Sequence, residues 1–311
     1  MRLIFLGTPA FAVPTLERIL DAGHTVLTVI SQPDRPKGRG KAVAASAVKE
    51  AALRLKLPVF QPERIRRPEV VAQLAQFQTD AMVVVGYGQI IPQSIIDLPA
   101  HGILNVHASL LPKYRGAAPI QWAVVNGETV TGVTTMRIDA GLDTGDMLLA
   151  QVVPIGLEET AVDVYECLAD FGAKLMVRTL CKLADGSIFP QAQDHSLATL
   201  APILKREDGW MDFTRTAKQL YDRWRGFQPW PGAHTLLRGK KFIAHKVHVA
   251  SETFHGEPGV LIVRGNLLMV RCADATLLTF DEVQIEGKRR MSAAEFLHGH
   301  QVKSGERLGN V

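Results

Sequence analysis

The stretch Ala81-Met82-Val83-Val84-Val85, running into Gly86-Tyr87-Gly88-Gln89, decides the fold. Its apolar residues follow one another without polar alternation, so both faces of this strand need cover. A parallel sheet sandwiched between helices meets that condition. Upstream, Leu3 to Leu6, Val26 to Ser31 and Pro58 to Phe60 are further short strand-like runs. Between them Phe11 to Ala22, Ala44 to Leu55 and Pro68 to Phe77 place apolar residues at helical spacing. Strand and helix in alternation predict a doubly wound, Rossmann-like α/β domain. Such sheets take ligands at the carboxyl ends of their strands, which directs attention to Gly86-Tyr87-Gly88-Gln89 and to the end of the next strand, Gly102 to His107. The opening Gly7-Thr8-Pro9 is not a Gly-x-Gly-x-x-Gly turn, so a dinucleotide reading is weak.

The strand after that run ends in Asn105-Val106-His107-Ala108-Ser109-Leu110-Leu111-Pro112. Side chains on a strand alternate faces, so Asn105 and His107 point the same way and can converge on one small reacting group. Two side-chain donors side by side suit the oxyanion of an acyl carbon under attack by an amine. Downstream, Gly141-Leu142-Asp143-Thr144-Gly145 supplies a carboxylate, able to orient His107 or to take a proton from the attacking amine. Each residue taken singly also has a structural occupation. Asn and His at a strand end satisfy backbone groups, and Asp in a Gly-rich turn caps its own loop. Ser109 lacks a Gly-x-Ser-x-Gly elbow, and His107 lacks a His-x-x-x-His or Cys-x-x-Cys companion, so neither a serine nucleophile nor a metal centre is expected.

Val133 to Ile138 and Met147 to Pro154 read as paired strands flanking the Asp143 turn, and Thr160 to Ala184 as a long amphipathic helix ended by Gly186. The period is then lost from about Phe189 to Arg206. After a short helix over Thr214 to Trp224, the runs Thr235 to Leu237, Lys241 to Val249, Gly259 to Val263, Leu267 to Arg271 and Thr276 to Ile285 alternate with Gly, Asn and Asp turns. Short strands in succession predict a small OB-fold-like β-barrel. The expected partition is a catalytic domain over 1–189, a linker over 190–208 and the barrel domain over 209–311.

The chain has 311 residues, 47% of them hydrophobic, enough for one large packed domain and one small one. Arg2 to Gly7 reads as a strand rather than a leader peptide, and no apolar run approaches a membrane span. Three cysteines without metal spacing fit reduced thiols, and a cytoplasmic monomer is expected. Charge is uneven. From Lys205 onward there are 17 Lys plus Arg against 12 Asp plus Glu, leaving 18 against 19 before it. A basic C-terminal third is a solvated surface or the complement of a polyanion such as RNA. Gln32 to Lys49 is a second basic segment, with Arg35, Lys37, Arg39 and Lys41 around two glycines. By itself it reads equally as a basic surface loop.

Asn105-x-His107, Ser109-Leu110-Leu111-Pro112, Arg115-Gly116-Ala117-Ala118-Pro119-Ile120-Gln121 and Gly141-Leu142-Asp143-Thr144-Gly145, in this order, resemble the signature of the formyltransferases that use 10-formyltetrahydrofolate. The resemblance extends to Gln32-Pro33-Asp34-Arg35-Pro36 and to Pro229-Trp230-Pro231-Gly232, and is closest to the branch acting on methionyl initiator tRNA. It implies formyl transfer to the methionyl α-amino group for translation initiation, with Asn105, His107 and Asp143 catalytic. It further implies a folate cleft between Ser109, Leu110, Leu111 and Pro112 on one side and Tyr87, Gly88, Gln89 and Ile90 on the other. The basic loop then resembles a wedge for the tRNA acceptor end, with Arg39 on the RNA and Arg35, Lys37 and Lys41 beside it. Three other readings stay open: a formyltransferase for a small amine, a hydrolase releasing formate, and an RNA-binding protein without catalysis.

Overall fold

The computed structural model describes residues 1–37 and 42–309. In chain order the elements of the first part are β1 (Arg2–Gly7), α1 (Val13–Asp21), β2 (Thr25–Ile30), β3 (Arg35–Lys37), β4 (Ala42–Ala44), α2 (Ala47–Arg54), β5 (Val59–Phe60), α3 (Pro68–Ala75), β6 (Ala81–Val85), α4 (Gln93–Ile96), β7 (Ile103–His107), β8 (Arg115–Gly116), α5 (Pro119–Val125), β9 (Val130–Arg137), β10 (Met147–Pro154) and α6 (Ala161–Ala184). They are followed by β11 (Leu200–Ala201), α7 (Ala217–Gly226), β12 (Ala233–Leu237), β13 (Lys240–Thr253), β14 (Leu261–Arg264), β15 (Leu267–Arg271), β16 (Thr276–Ile285), β17 (Met291–Ser292) and α8 (Ala293–His300). The chain divides into two compact units. One comprises Met1–Pro119, Val130–Pro154 and Val164–Pro202; the other takes Ile120–Thr129, Ile155–Asp163 and the chain from Ile203 onward.

The first unit is built on a seven-stranded sheet in the order β10-β9-β7-β6-β1-β2-β5. The strands from β5 to β7 are parallel, and β9 and β10 add an antiparallel edge. Every residue of β6 is buried, as an apolar run without alternation requires. The helix expected from Phe11 starts as a 3-10 turn at Ala10–Ala12 and becomes α-helical at Val13, with Pro14 in the first turn, where its missing N–H costs nothing. Ser46 caps α2 by accepting from the Lys49 N–H at 3.0 Å.

Strand order reverses between β1 and β6, and the loops leaving them meet there. The Tyr87 carbonyl accepts from Thr8 Oγ1 at 3.0 Å and from Gln32 Nε2 at 3.2 Å. Gly86 turns the chain with φ +58°, and a Cβ on it would lie 2.9 Å from Pro9 Cγ. Gly86→Ala is therefore expected to destabilise the protein by about 1–2 kcal/mol from the left-handed backbone alone, read as a lowered midpoint in chemical denaturation.

The segment 190–208, aperiodic in sequence, is pinned over its first half. Gln191 bridges Met147, and β11 pairs in parallel with β8, joining Leu200 to Arg115 and Ala201 to Gly116. Residues to Pro202 group with the first unit.

The second unit holds an antiparallel sheet in the order β12-β13-β16-β15-β14, with β17 on β16. The segment after α8 ties its edges together. Gly309 N–H donates to the Leu236 carbonyl at 3.0 Å and Leu308 N–H to the Gly259 carbonyl at 2.9 Å, closing the sheet into the expected barrel. Phe242 sits at its centre, edge-on to Phe280 at 5.3 Å and to Phe296 at 5.5 Å between centroids. Thr216 and Gln219 form a capping box that starts α7. On α7, Arg225 is buried. It donates to Asp222 Oδ1 at 2.7 Å and to the carbonyls of Gly156 and Glu159 at 3.1 and 2.6 Å. Arg225→Met leaves Asp222 paired only with Lys218, at 2.5 Å, and the Gly156 and Glu159 carbonyls without their donor, so a loss of about 1–3 kcal/mol is expected, measured by the same denaturation experiment.

Candidate active site

Strand β7 carries the first two functional side chains, and it is paired on both edges. Asn105 lies opposite Val84 on β6 and Met136 on β9, and His107 lies opposite Thr134 on β9. Ladders on both sides fix the two side chains on a rigid element. Asn105 is 9% exposed and His107 5% exposed. The Asn105 amide makes no hydrogen bond to any described residue, so it is held by packing and left with its donors uncommitted.

His107 is oriented by the loop that follows. Its Nε2 lies 2.9 Å from the Tyr114 carbonyl, which can only accept, so Nε2 carries a proton. The other nitrogen, Nδ1, faces Asp143 Oδ2 at 3.6 Å. That separation is too long for a hydrogen bond but close for an ion pair when the ring is doubly protonated. Asp143 Oδ2 in turn accepts from the Gly116 N–H at 2.9 Å. The turn does not need Asp143 as its own cap. Asp139 performs that task, accepting from the Gly141 N–H at 3.0 Å and from the Thr144 hydroxyl at 2.7 Å. Asp143 has φ +51°, a left-handed conformation that Asp tolerates better than most residues, and its carboxylate is turned onto His107. The fold brings His107 and Asp143 together, and Asn105 lies two residues before His107 on the same strand.

The expected folate-lining residues have unequal surroundings. Ser109 is fully buried, and its hydroxyl donates to the Lys113 carbonyl at 2.6 Å. The Tyr87 ring is buried in the core with Ile4, Leu6 and Ile30, and burial pushes its hydroxyl up to about 12. Neither offers side-chain surface. Leu110, Leu111 and Pro112 form a loop held by Thr134, whose hydroxyl donates to the Ser109 carbonyl at 2.7 Å and accepts from the Leu111 N–H at 3.2 Å. Gly88 is exposed and Ile90 is 89% exposed. Gln89 is engaged as a bracket, accepting from the Ile65 N–H at 2.9 Å and donating to Gln32 Oε1 at 3.3 Å.

Of the expected RNA contacts, Arg35 is exposed on β3. Lys37 ends that strand, and Arg39 and Lys41 lie outside the described residues. At the foot of the segment Asp34 accepts from Gln61 at 2.8 Å and from Lys49 at 2.5 Å. The Gln61 hydrogen bond, and then that of Lys49, hold its carboxyl below the usual range.

Two residues bearing on the site gave no sequence signal as such. Arg115 and Gln193 are each 6% exposed and hydrogen-bonded to one another next to the Asp143 turn. Arg115 stood within a matched motif without a role, and Gln193 fell in an aperiodic stretch. Among the described residues no cluster of three or more His, Cys, Asp or Glu has a metal-holding arrangement, and no helix is long and apolar enough to cross a membrane.

This geometry stands on a chain with extensive likeness to known proteins. It is 56% identical over 310 residues to a methionyl-tRNA formyltransferase of Acidobacterium capsulatum, covering 99% of this chain and all of that one. It is 48% identical to the methionyl-tRNA formyltransferase of Geobacter sulfurreducens, covering 100% of this chain and 98% of that one. Among solved structures, a sugar 3N-formyl transferase crystallised with dTDP and 5-N-formyl-THF superposes with a TM-score of 0.67 at 21% identity, over 93% of this chain and 99% of that one. An N-formyltransferase from Helicobacter canadensis, in complex with folinic acid and dTDP-3-aminofucose, gives 0.66 at 19% identity, over 89% and 98%. At such identities these two speak for the fold. The formyl transferase family model matches residues 1–180 and its C-terminal domain model residues 203–301. With both models matched in order, and full-length relatives above half identity, the chain belongs to the formyl transferase family.

Proposed function

We propose that this protein transfers the formyl group of 10-formyltetrahydrofolate to the α-amino group of methionyl initiator tRNA, by direct attack of the amine. The observation that carries the reading is a carboxylate, Asp143, 3.6 Å from His107 Nδ1, beside a strand that carries the buried Asn105 two residues before His107 and therefore on the same face. The relatives' activity on methionyl-tRNA supports the acceptor.

The amine must be uncharged to attack, and free α-amino groups titrate near ~7.7–8.0, so the proton is readily lost. Attack forms the new C–N bond and places negative charge on the formyl oxygen. The Asn105 amide donates to that oxygen, and with Nε2 committed to Tyr114 the imidazolium form of His107, when present, adds a second donor at Nδ1. Asp143 stabilises that imidazolium and accepts the amine proton. Collapse breaks the bond to N10 and returns a proton to the departing tetrahydrofolate nitrogen. Leu110, Leu111 and Pro112, together with the exposed Gly88 and Ile90, are assigned to the pterin, and the buried Ser109 and Tyr87 and the hydrogen-bonded Gln89 to the support of these loops.

RNA binding is assigned to the basic segment from Arg35 through Lys41 and to the barrel unit, whose charge suits phosphates. The test is formyl transfer from 10-formyltetrahydrofolate to methionyl initiator tRNA, run beside free methionine, elongator methionyl-tRNA and no acceptor. Product confined to the initiator tRNA is expected. Formate release without acceptor would establish a hydrolase instead, and transfer to small amines alone would establish the small-amine reading.

A further inference from the structure

The Asp143 turn is held from behind by a buried guanidinium that has no charge partner. Arg115 donates to Gln193 Oε1 through Nε at 3.1 Å and Nη2 at 2.7 Å, and Nη2 also lies 3.1 Å from His195 Nδ1. No carboxylate pairs with it among the described residues. Burying a charge against neutral acceptors is costly, so the arrangement needs a return elsewhere. The two Arg115 donors fix the orientation of the Gln193 amide. Its oxygen must face the guanidinium, which leaves its NH2 to face the turn. That NH2 donates to the Asp143 carbonyl at 2.9 Å and to the Gly145 carbonyl at 2.7 Å. The first carbonyl belongs to the residue whose backbone is left-handed and whose carboxylate faces His107, and the second lies two residues further along the turn.

We infer that Gln193, locked by Arg115, is a positioning residue for formyl transfer: it holds the Asp143 carboxylate in register with His107. The inference rests on the reading of Asp143 under Proposed function. The backbone geometry of Asp143 is sparsely populated, so it persists only where surroundings over-determine it. Gly116 N–H fixes the carboxylate end, Asp139 fixes the turn's first half, and Gln193 fixes the second. A displacement of about 1 Å at such a group costs on the order of a hundredfold in rate.

Gln193→Glu separates this role from packing. Glutamate keeps the size and gives Arg115 a charged acceptor, but it presents oxygens to the two carbonyls in place of donors. Formyl transfer to methionyl initiator tRNA is measured for the wild type, Gln193→Glu, Asp143→Asn and the double variant, together with thermal midpoints and hydrogen exchange over residues 139–146. The expected result is a fall in kcat of at least tenfold for Gln193→Glu, with KM within twofold and the thermal midpoint within a few degrees. Exchange in the turn is expected to rise while that of β7 is unchanged. In the Asp143→Asn background the same substitution is expected to cost less than twofold, because the group it positions is already gone. Wild-type kcat in Gln193→Glu, equal losses in both backgrounds, or unchanged exchange in the turn would each overturn the inference. A wild type that transfers no formyl group, or an Asp143→Asn variant of full activity, would instead overturn the proposed reaction, and the exchange result still decides whether Gln193 holds the turn.

Discussion

Asp143→Asn is expected to lower the rate of formyl transfer by about 10²–10⁴-fold, the range of a group that moves a proton in the transition state. Asparagine still offers an oxygen to the Gly116 N–H, and the turn retains its Asp139 cap, so the backbone is expected to stay in place. What disappears is the negative charge 3.6 Å from His107 Nδ1. Without it the imidazolium form of His107 would have no counter-charge, and the proposed proton acceptor for the attacking amine would be gone. Single-turnover formylation at saturating co-substrates isolates that step, and the thermal midpoint is expected to change little. A loss below tenfold would leave Asp143 as a turn residue only.

Asn105→Ala is expected to cost about 2.7–4 kcal/mol of transition-state stabilisation, equivalent to 10²–10³-fold in turnover. The residue is buried in the centre of a doubly paired strand, yet no internal hydrogen bond is lost with its amide among the described residues. The loss should therefore fall on kcat, with binding of folate and tRNA close to unchanged. That split distinguishes an oxyanion donor from a residue that shapes the cleft, which would raise KM instead. Asn105→Asp retains the size but offers no neutral NH2 to the oxygen, and it is expected to be at least as impaired. A turnover within tenfold of wild type in Asn105→Ala would remove the amide from the mechanism.

The α/β fold was legible from local pattern. The unbroken apolar run of β6 demands cover on both faces, and helical periodicity between short strands leaves a doubly wound sheet as the consistent solution. The pairing of Asn105 with His107 followed from the period of two in β7, a property of the backbone independent of the rest of the chain. The barrel was legible as a succession of short strands, but its closure was not. Residues 305–309 close it through backbone groups, which carry no side-chain signature.

Tertiary structure alone decided which way each site residue works. The sequence could not tell whether Asp143 caps its own turn; the fold gives that work to Asp139 and frees Asp143 for His107. Nor could it assign the ring nitrogens, since the fold of the following loop brings the Tyr114 carbonyl onto Nε2 and fixes the proton there. Ser109 and Tyr87 fall within matched motifs, yet their side chains are spent on packing and loop closure. Gln193 shows the limit most clearly. It lies 50 residues from Asp143 in an aperiodic stretch, and only the folded chain places its amide on that turn. Sequence periodicity records which faces are buried, because burial is imposed residue by residue along each element. The partners of individual polar groups are set by where separate segments meet in space, and that is decided by packing.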